Sequence, residues 1–352
     1  MPMDLRNCVS NFVQNGFALN SEYATMENPH LDRWHYLDFH DGKHDKNYIE
    51  WKYFNFIQKD IAGYVVYYIL DPEKSTRPGG GRLLWRIFKD NVSFGGIKQI
   101  SMDQIQCDSI SANIIMDTAS ITESPYEYRI SGTIKDFFWN LDYKQAAPTI
   151  DSFHNVNPGF MRWENVNWLI KMPKAHVCGE IKINDQSIVI DGLGYSDTNW
   201  GEIMPLFSRY EWGQFNNYNL SFTFGLLYGF KNIKHSYFYF TTDNKLVKIE
   251  NANCKVEHIS WTSRKGIEVQ VPSQSNFEIT NGEYVIKLSS RLKQYDILGL
   301  RVLWFLPKSV VSEQLVEYSG TIEKQGILIN KFKGLGFQEW STRTWKPTTL
   351  LF

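Results

Sequence analysis

The sequence predicts an all-β chain built as two antiparallel β-barrel or sandwich domains in tandem. Three observations carry that reading: apolar and polar residues alternate from residue 48 onward, turn residues break the alternation, and one set of motifs is written twice. The length of 352 residues suits two domains. Lysine and arginine number 37 against 38 aspartates and glutamates, which excludes a chain held unfolded by its own charge and a basic nucleic-acid binder. Aromatic residues make up 15%, an excess that fits rings packed on pleated sheets or lining a cavity.

The strands follow in order. GYVVYYIL (63–70), YEYRISGTI (126–134), GEIKINDQSIVI (179–190), SFTFGLLYGF (221–230) and GEYVIKL (282–288) all read as strand sequence. Between strands lie DPEKSTRPGGG (71–81), ASITESP (119–125), INDQS (183–187) and ITNGEY (279–284), where Asn281 and Gly282 suit a primed hairpin turn. One stretch, PKSVVSEQLVE (307–317), predicts a short helix.

The repeat organises the rest. Glu50, Trp51, Phe54 and Asn55 recur as Glu211, Trp212, Phe215 and Asn216, 161 residues on. Gly192, Leu193, Gly194, Tyr195 and Asp197 recur as Gly334, Leu335, Gly336, Phe337 and Glu339, 142 residues on. PKAHV (173–177) answers PKSVV (307–311), and the strand pair opening at Gly179 answers the one opening at Gly320. The expected division is an N-terminal segment 1–47, a first β-domain 48–205 and a second 206–352. In each, a first strand pairing with the last would leave no edge open, and the glycines would permit a bend or the close approach of a tryptophan ring.

Polar chemistry concentrates in GLGYSDTNWGEIMP. If this stretch is extended, Tyr195, Asp197 and Asn199 share a face, placing a phenol, a carboxyl and an amide together with Trp200 beside them. Otherwise Asp197 and Asn199 cap a turn. Trp51, Tyr53 and Trp212 read either as pocket walls or as barrel plugs that serve packing alone. Glu50 and Glu211 need partners if buried, with Arg209 the candidate for Glu211; whether these two and Glu339 are structural or functional stays open. His30, His35, His40 and His44, among Asp38, Asp41 and Asp45, fit no helical ligand pair and read as a polar loop. Gly79, Gly80 and Gly81 lack the Lys and Ser or Thr of a phosphate loop. Four cysteines without CxxC spacing argue against a zinc knuckle, so neither a metal nor a cofactor is expected. Reduced thiols, no secretory leader and no apolar run of membrane-spanning length point to a cytoplasmic chain without a membrane span.

Taken together, GLGYSDTNWG, RYEWGQFNNYNLSF and the terminal GLGFQEW resemble the AttH-like and carotenoid 1,2-hydratase (hydroxyneurosporene synthase) family, which includes the fungal decalin-forming Diels-Alderases. The similarity covers about residues 45–342. Lys52 stands where the family usually has a second aromatic, and Thr198 where it has His or Lys. The resemblance implies two lipocalin-like β-domains with a pocket at or near their junction, lined by Tyr195, Asn199, Trp200, Trp51, Tyr53, Trp212 and Trp340. The implied ligand is an apolar polyene, polyketide or isoprenoid. A cyclase of the Diels-Alderase (pericyclase) kind would fold a polyene into its reactive conformer, using a few donors and no strong acid. A hydratase would need Asp197 as general acid toward a C=C bond, and a lipocalin-like carrier would only bind.

Overall fold

The computed structural model describes residues 32–36, 48–70, 79–157, 165–184, 186–202, 209–229, 232–242, 245–263, 269–300 and 308–344. Chain contacts divide it into two units, the first Met1–Ile87, Phe94–Asn155 and Asn165–Ile203, the second Phe88–Ser93, Val156–Glu164 and Met204–Phe352.

The first unit carries β1 Tyr48–Gln58, β2 Ile61–Leu70, β3 Gly80–Lys89, β4 Val92–Ile100, β5 Ile105–Cys107, β6 Ile114–Met116, β7 Ala119–Ser124, β8 Glu127–Ile134, β9 Phe137–Gln145, β10 Ile150–Val156, β11 Val166–Ile183 and β12 Gln186–Glu202. They form one sheet in the order β4-β3-β2-β1-β12-β11-β9-β8-β7-β6-β5, with β10 on β11. The second unit carries β13 Arg209–Asn216, β14 Leu220–Tyr228, β15 Ile233–Thr242, β16 Lys245–Glu250, β17 Asn253–Thr262, β18 Val271–Thr280, β19 Tyr284–Leu300, β20 Lys308–Lys324 and β21 Ile327–Thr344. Their order, β16-β15-β14-β13-β21-β20-β19-β18-β17, repeats the first plan. In both sheets a four-strand meander begins at the EW strand, and that strand pairs with the GLG strand that closes the unit. The chain is therefore all-β, in two antiparallel barrel-type units.

The register refines the repeat. Glu50 faces Trp200 and Glu211 faces Trp340, so the closing strands correspond at 140 residues rather than the 142 of the motif match. A slip of two is the smallest that keeps every side chain on its own face. By register, Glu339 answers Asn199, and the position of Asp197 is taken in the second unit by Phe337.

Three sequence expectations change. The stretch predicted as a helix at 307–317 runs as strand from Lys308, because its buried residues lie in the centre of a long β20–β21 hairpin that answers β11–β12. Pro307 lies outside the described residues, as do 71–78, His30, His40, His44, Asp38, Asp41 and Asp45. The Asn281-Gly282 turn shifts by one residue: Asn281 N–H donates to the Tyr284 carbonyl at 3.3 Å, so Gly282 (φ +87°) and Glu283 are the central pair, and Asn281 Oδ1 accepts from the backbone N–H groups of Glu283 and Tyr284. The closing-strand glycines make room for neighbouring backbone and for tyrosine or phenylalanine rings, not for tryptophan. A Cβ on Gly194 would collide with the Asn55 carbonyl oxygen and lie 3.0 Å from the Tyr143 ring, while one on Gly336 would meet the Gln214 carbonyl and lie 2.7 Å from Tyr318.

Each unit has its own apolar core. Phe54, Phe56, Tyr67, Tyr128, Trp139, Tyr143 and Val177 anchor the first, and Phe215, Phe222, Phe224, Phe238, Phe277 and Tyr318 the second.

Candidate functional site

Alternation along β1 and β12 decides what each motif residue faces. On β1, Glu50, Lys52, Phe54 and Phe56 share the face of the first core, and Trp51, Tyr53 and Asn55 lie on the other. On β12, Trp200 belongs to the core face and Tyr195, Asp197 and Asn199 to the opposite one. Residues 192–199 are thus continuous strand, and Asp197 and Asn199 cap no turn.

On the outer face, β1, β12 and β11 set side chains in rows. Trp51 is the cross-strand partner of Asn199, and Asn199 of Trp168; Tyr53 is the partner of Asp197. The buried Asp197 Oδ2 accepts from Tyr195 OH at 2.7 Å and from Trp168 Nε1 at 2.8 Å. Tyr53 meets Tyr195 edge-on at 6.3 Å and stacks on Tyr64 at 5.6 Å, while Trp51 lies against Tyr68 at 5.9 Å. Asn199 and Trp51 are the half-buried edge of this aromatic patch. The structure therefore gathers Tyr195, Asp197, Asn199, Trp51 and Tyr53 and adds Trp168 and Tyr64. Neither addition sits in a polar motif, and only the strand register brings them there.

Trp200 points the other way. Its ring stacks on His35 at 3.8 Å and 2°, inside the first core. The tryptophans expected as plugs, Trp51 and Trp212, do not turn inward; the neighbouring glutamates do. The plug of the first unit is the segment 32–36, with Trp34 fully buried in the core and donating from Nε1 to the Ala112 carbonyl.

Glu50 explains how that segment is held. Its carboxylate accepts the backbone N–H groups of His35 and Tyr36 at 2.9–3.0 Å and Tyr48 OH at 2.8 Å, and pairs with His35 Nδ1 at 3.1 Å. Lys52 does the rest: Nζ donates to the Asp32 carbonyl at 2.6 Å, to Asp32 Oδ1 at 2.7 Å and to Thr198 Oγ1 at 3.1 Å, and lies 5.1 Å from the Trp34 ring centre. Thr198 in turn donates to Asp32 Oδ1 at 2.5 Å. Lys52 and Thr198 are cross-strand partners, so the two departures from the family pattern form one unit with Asp32.

Glu211 lies in a different setting. Its Oε1 accepts Tyr228 OH at 2.5 Å and pairs with His258 Nε2 at 3.3 Å, and its buried Oε2 has no hydrogen-bond partner among the described residues. Arg209, the expected partner, instead places its guanidinium 5.3 Å from the Tyr228 ring. Burial, then the Glu211 charge, pushes the Tyr228 phenol far above its ordinary pKa. Arg209, Glu211, Tyr228, Asn251, Cys254 and His258 line a cleft of about 610 Å³. That volume falls within the range of small-molecule sites. Trp212 and Trp340 also belong to the second unit, where Trp212 pairs with Glu339.

No family model and no curated protein matches the sequence. Solved structures do match the fold. An AttH-like protein of Nitrosomonas europaea superposes with a TM-score of 0.64 at 13% identity, covering 85% of this chain and 93% of its own. CghA, solved with Sch210972, gives 0.64 at 11% over 85% and 89%. Kievitone hydratase from Nectria haematococca gives 0.59 at 15% over 84% and 89%. These neighbours agree with the resemblance read from the sequence, and what they share with this chain is the fold.

Proposed function

We propose that the chain is a cyclase of the pericyclase type, which folds an apolar polyene against the aromatic face of the first unit. The supporting observation is the convergence of Tyr195 OH and Trp168 Nε1 on one oxygen of Asp197. A carboxylate that receives two donors serves as an acceptor that locks two rings in place, whereas a hydratase acid must give its proton to carbon. A pericyclic step needs no proton transfer. It needs a shaped apolar wall, which Trp51, Tyr53 and Tyr68 supply, and a donor to polarise a carbonyl, which the Asn199 amide supplies. The fold shared with CghA, a protein solved with a bound small molecule, fits this reading.

The hydratase alternative has an observation in its favour away from Asp197. Glu211 is a buried acid whose Oε2 lacks a partner on a cleft of fitting size, and the fold is also that of kievitone hydratase. The test is incubation with a lipophilic extract of the producing organism in deuterated water, followed by mass spectrometry. Cyclisation gives a product of unchanged mass with no deuterium on carbon; hydration adds one water; a carrier returns its ligand unaltered. The cyclase reading expects Asp197→Asn to lose about tenfold in rate, near 1.4 kcal/mol, since only the anchoring of Tyr195 and Trp168 weakens. A gain of water with deuterium on carbon, abolished in Asp197→Asn or Glu211→Gln, would replace cyclase with hydratase.

A further inference from the structure

We infer that His176, Cys178 and Asp191 form a binding site for a borderline-soft divalent cation of the zinc class. The β11–β12 hairpin assembles it. His176 and Cys178 are two apart on β11 and so point to the same face, and Asp191 is the cross-strand partner of Cys178 on β12. One ligand atom from each lies within 4.8 Å of the others. His176 Nε2 is 2.7 Å from Asp191 Oδ1, and Cys178 Sγ lies 3.4 Å from His176 Nδ1 and 3.8 Å from its Nε2.

The donor set identifies the ion. A thiolate beside an imidazole and a carboxylate favours Zn²⁺ over the hard cations Mg²⁺ and Ca²⁺, which take oxygen ligands. The spacing agrees with tetrahedral coordination: bond lengths of about 2.0–2.3 Å place imidazole nitrogen and thiolate sulfur about 3.6 Å apart, and nitrogen and carboxylate oxygen about 3.4 Å apart. Binding therefore draws the Asp191 carboxylate back from Nε2 by about 0.7 Å and turns the imidazole so that Nε2, rather than Nδ1, faces the sulfur. His176 and Cys178 are buried while the Asp191 side chain is 41% exposed, so the site is fixed on two paired strands and open on one side. Three protein ligands leave a fourth position for water or for an oxygen of a bound molecule. On binding, the Cys178 thiol gives up its proton to solvent and no redox change occurs.

Cobalt(II) is the probe, added to the purified full chain after chelator treatment. One equivalent is expected to bind, with thiolate-to-cobalt charge-transfer absorption in the near ultraviolet and the strong visible bands of tetrahedral cobalt. Cys178→Ser should abolish the charge-transfer band, and Zn²⁺ should displace it in the wild type. His176→Ala and Asp191→Ala should each weaken binding at least tenfold. Because Asp191 is exposed, its variant retains the fold, which circular dichroism checks. No charge-transfer band in the wild type, a band that survives Cys178→Ser, or unchanged affinity in Asp191→Ala would overturn the site.

Discussion

Replacing Lys52 by Met tests how the first unit closes on its own N-terminal segment. Lys52 and Asp32 are 1% and 2% exposed, with Nζ 2.7 Å from Oδ1, so the substitution keeps the aliphatic stem and strands a buried carboxylate. Removing one partner of such a pair costs about 3–5 kcal/mol. For a domain of this size each kcal/mol moves the melting temperature by about 2–4 °C, giving a fall of about 6–20 °C. Adding Asp32→Leu removes the stranded charge, but the Asp32 carbonyl that accepted from Nζ at 2.6 Å still lacks its donor, a residual cost of about 1–3 kcal/mol. The double variant is therefore expected to recover about 2 kcal/mol over Lys52→Met. Urea unfolding followed by tryptophan fluorescence measures all three chains, since Trp34 and Trp200 sit at the plug. A loss below about 1 kcal/mol in Lys52→Met, or a double variant no better than the single, would refute the claim that this ion pair holds the segment in place.

Lys174 gives stability a pH dependence: burial lowers its pKa to about 8 from an ordinary 10.5, so between those values the unfolded chain binds a proton that the native chain does not, and stability rises with pH. Lys174→Met should therefore gain over wild type at pH 7, and the gain should shrink by about 2 kcal/mol by pH 9.5; urea midpoints that move in parallel at both pH values would contradict it. Gly194→Ala and Gly336→Ala should each cost about 1–3 kcal/mol or more, because the obstructing carbonyls of Asn55 and Gln214 belong to paired strands that cannot withdraw. Gly96→Ala, whose Cβ would lie 3.4 Å from its nearest neighbour, should stay within about 0.5 kcal/mol, and equal losses at all three positions in thermal melts would sink the argument.

What was legible in the sequence depended on the range over which a signal acts. Alternation is a local property of the pleated strand, and it identified GYVVYYIL and SFTFGLLYGF as strands. The motif repeat reached further. Its match of PKSVV to PKAHV joins two strand segments but is out of register, since Val177 pairs with Gly192 whereas Val311 pairs with Ser341, about ten residues away along the hairpin; the helical periodicity of 307–317 yields because hairpin pairing overrides weak propensity. The shared face of Tyr195, Asp197 and Asn199 was readable from spacing alone. Trp168 was not, because its bond to Asp197 depends on the register between β11 and β12, with bulges at Leu169–Met172 and Met172–Ala175. The same limit hid His176, Cys178 and Asp191: two ligands at strand spacing and a third across a hairpin match neither a CxxC pair nor a helical i, i+4 pair. Glu50 found its partners in segment 32–36, outside the repeat, where no internal comparison could point.

The two copies of the EW strand diverge for a reason that follows from that segment. In both units the glutamate faces the core side, and an inward carboxylate is tolerated only if donors reach it. In the first unit, segment 32–36 supplies backbone N–H groups from His35 and Tyr36, and Lys52 and Thr198 fix Asp32 behind them. In the second unit the register position of Lys52 is Gly213, and a Cβ there would collide with Phe224 and with the hydroxyl of Tyr318, so no side chain like that of Lys52 fits at that position. Tyr228 donates instead, His258 Nε2 lies 3.3 Å from the same oxygen, and the other oxygen is buried with no hydrogen-bond partner among the described residues. A plug of the first kind would have no Lys52 equivalent to anchor it there. The glutamate at this repeat position therefore closes the first unit by holding segment 32–36, while in the second unit it lines a cleft.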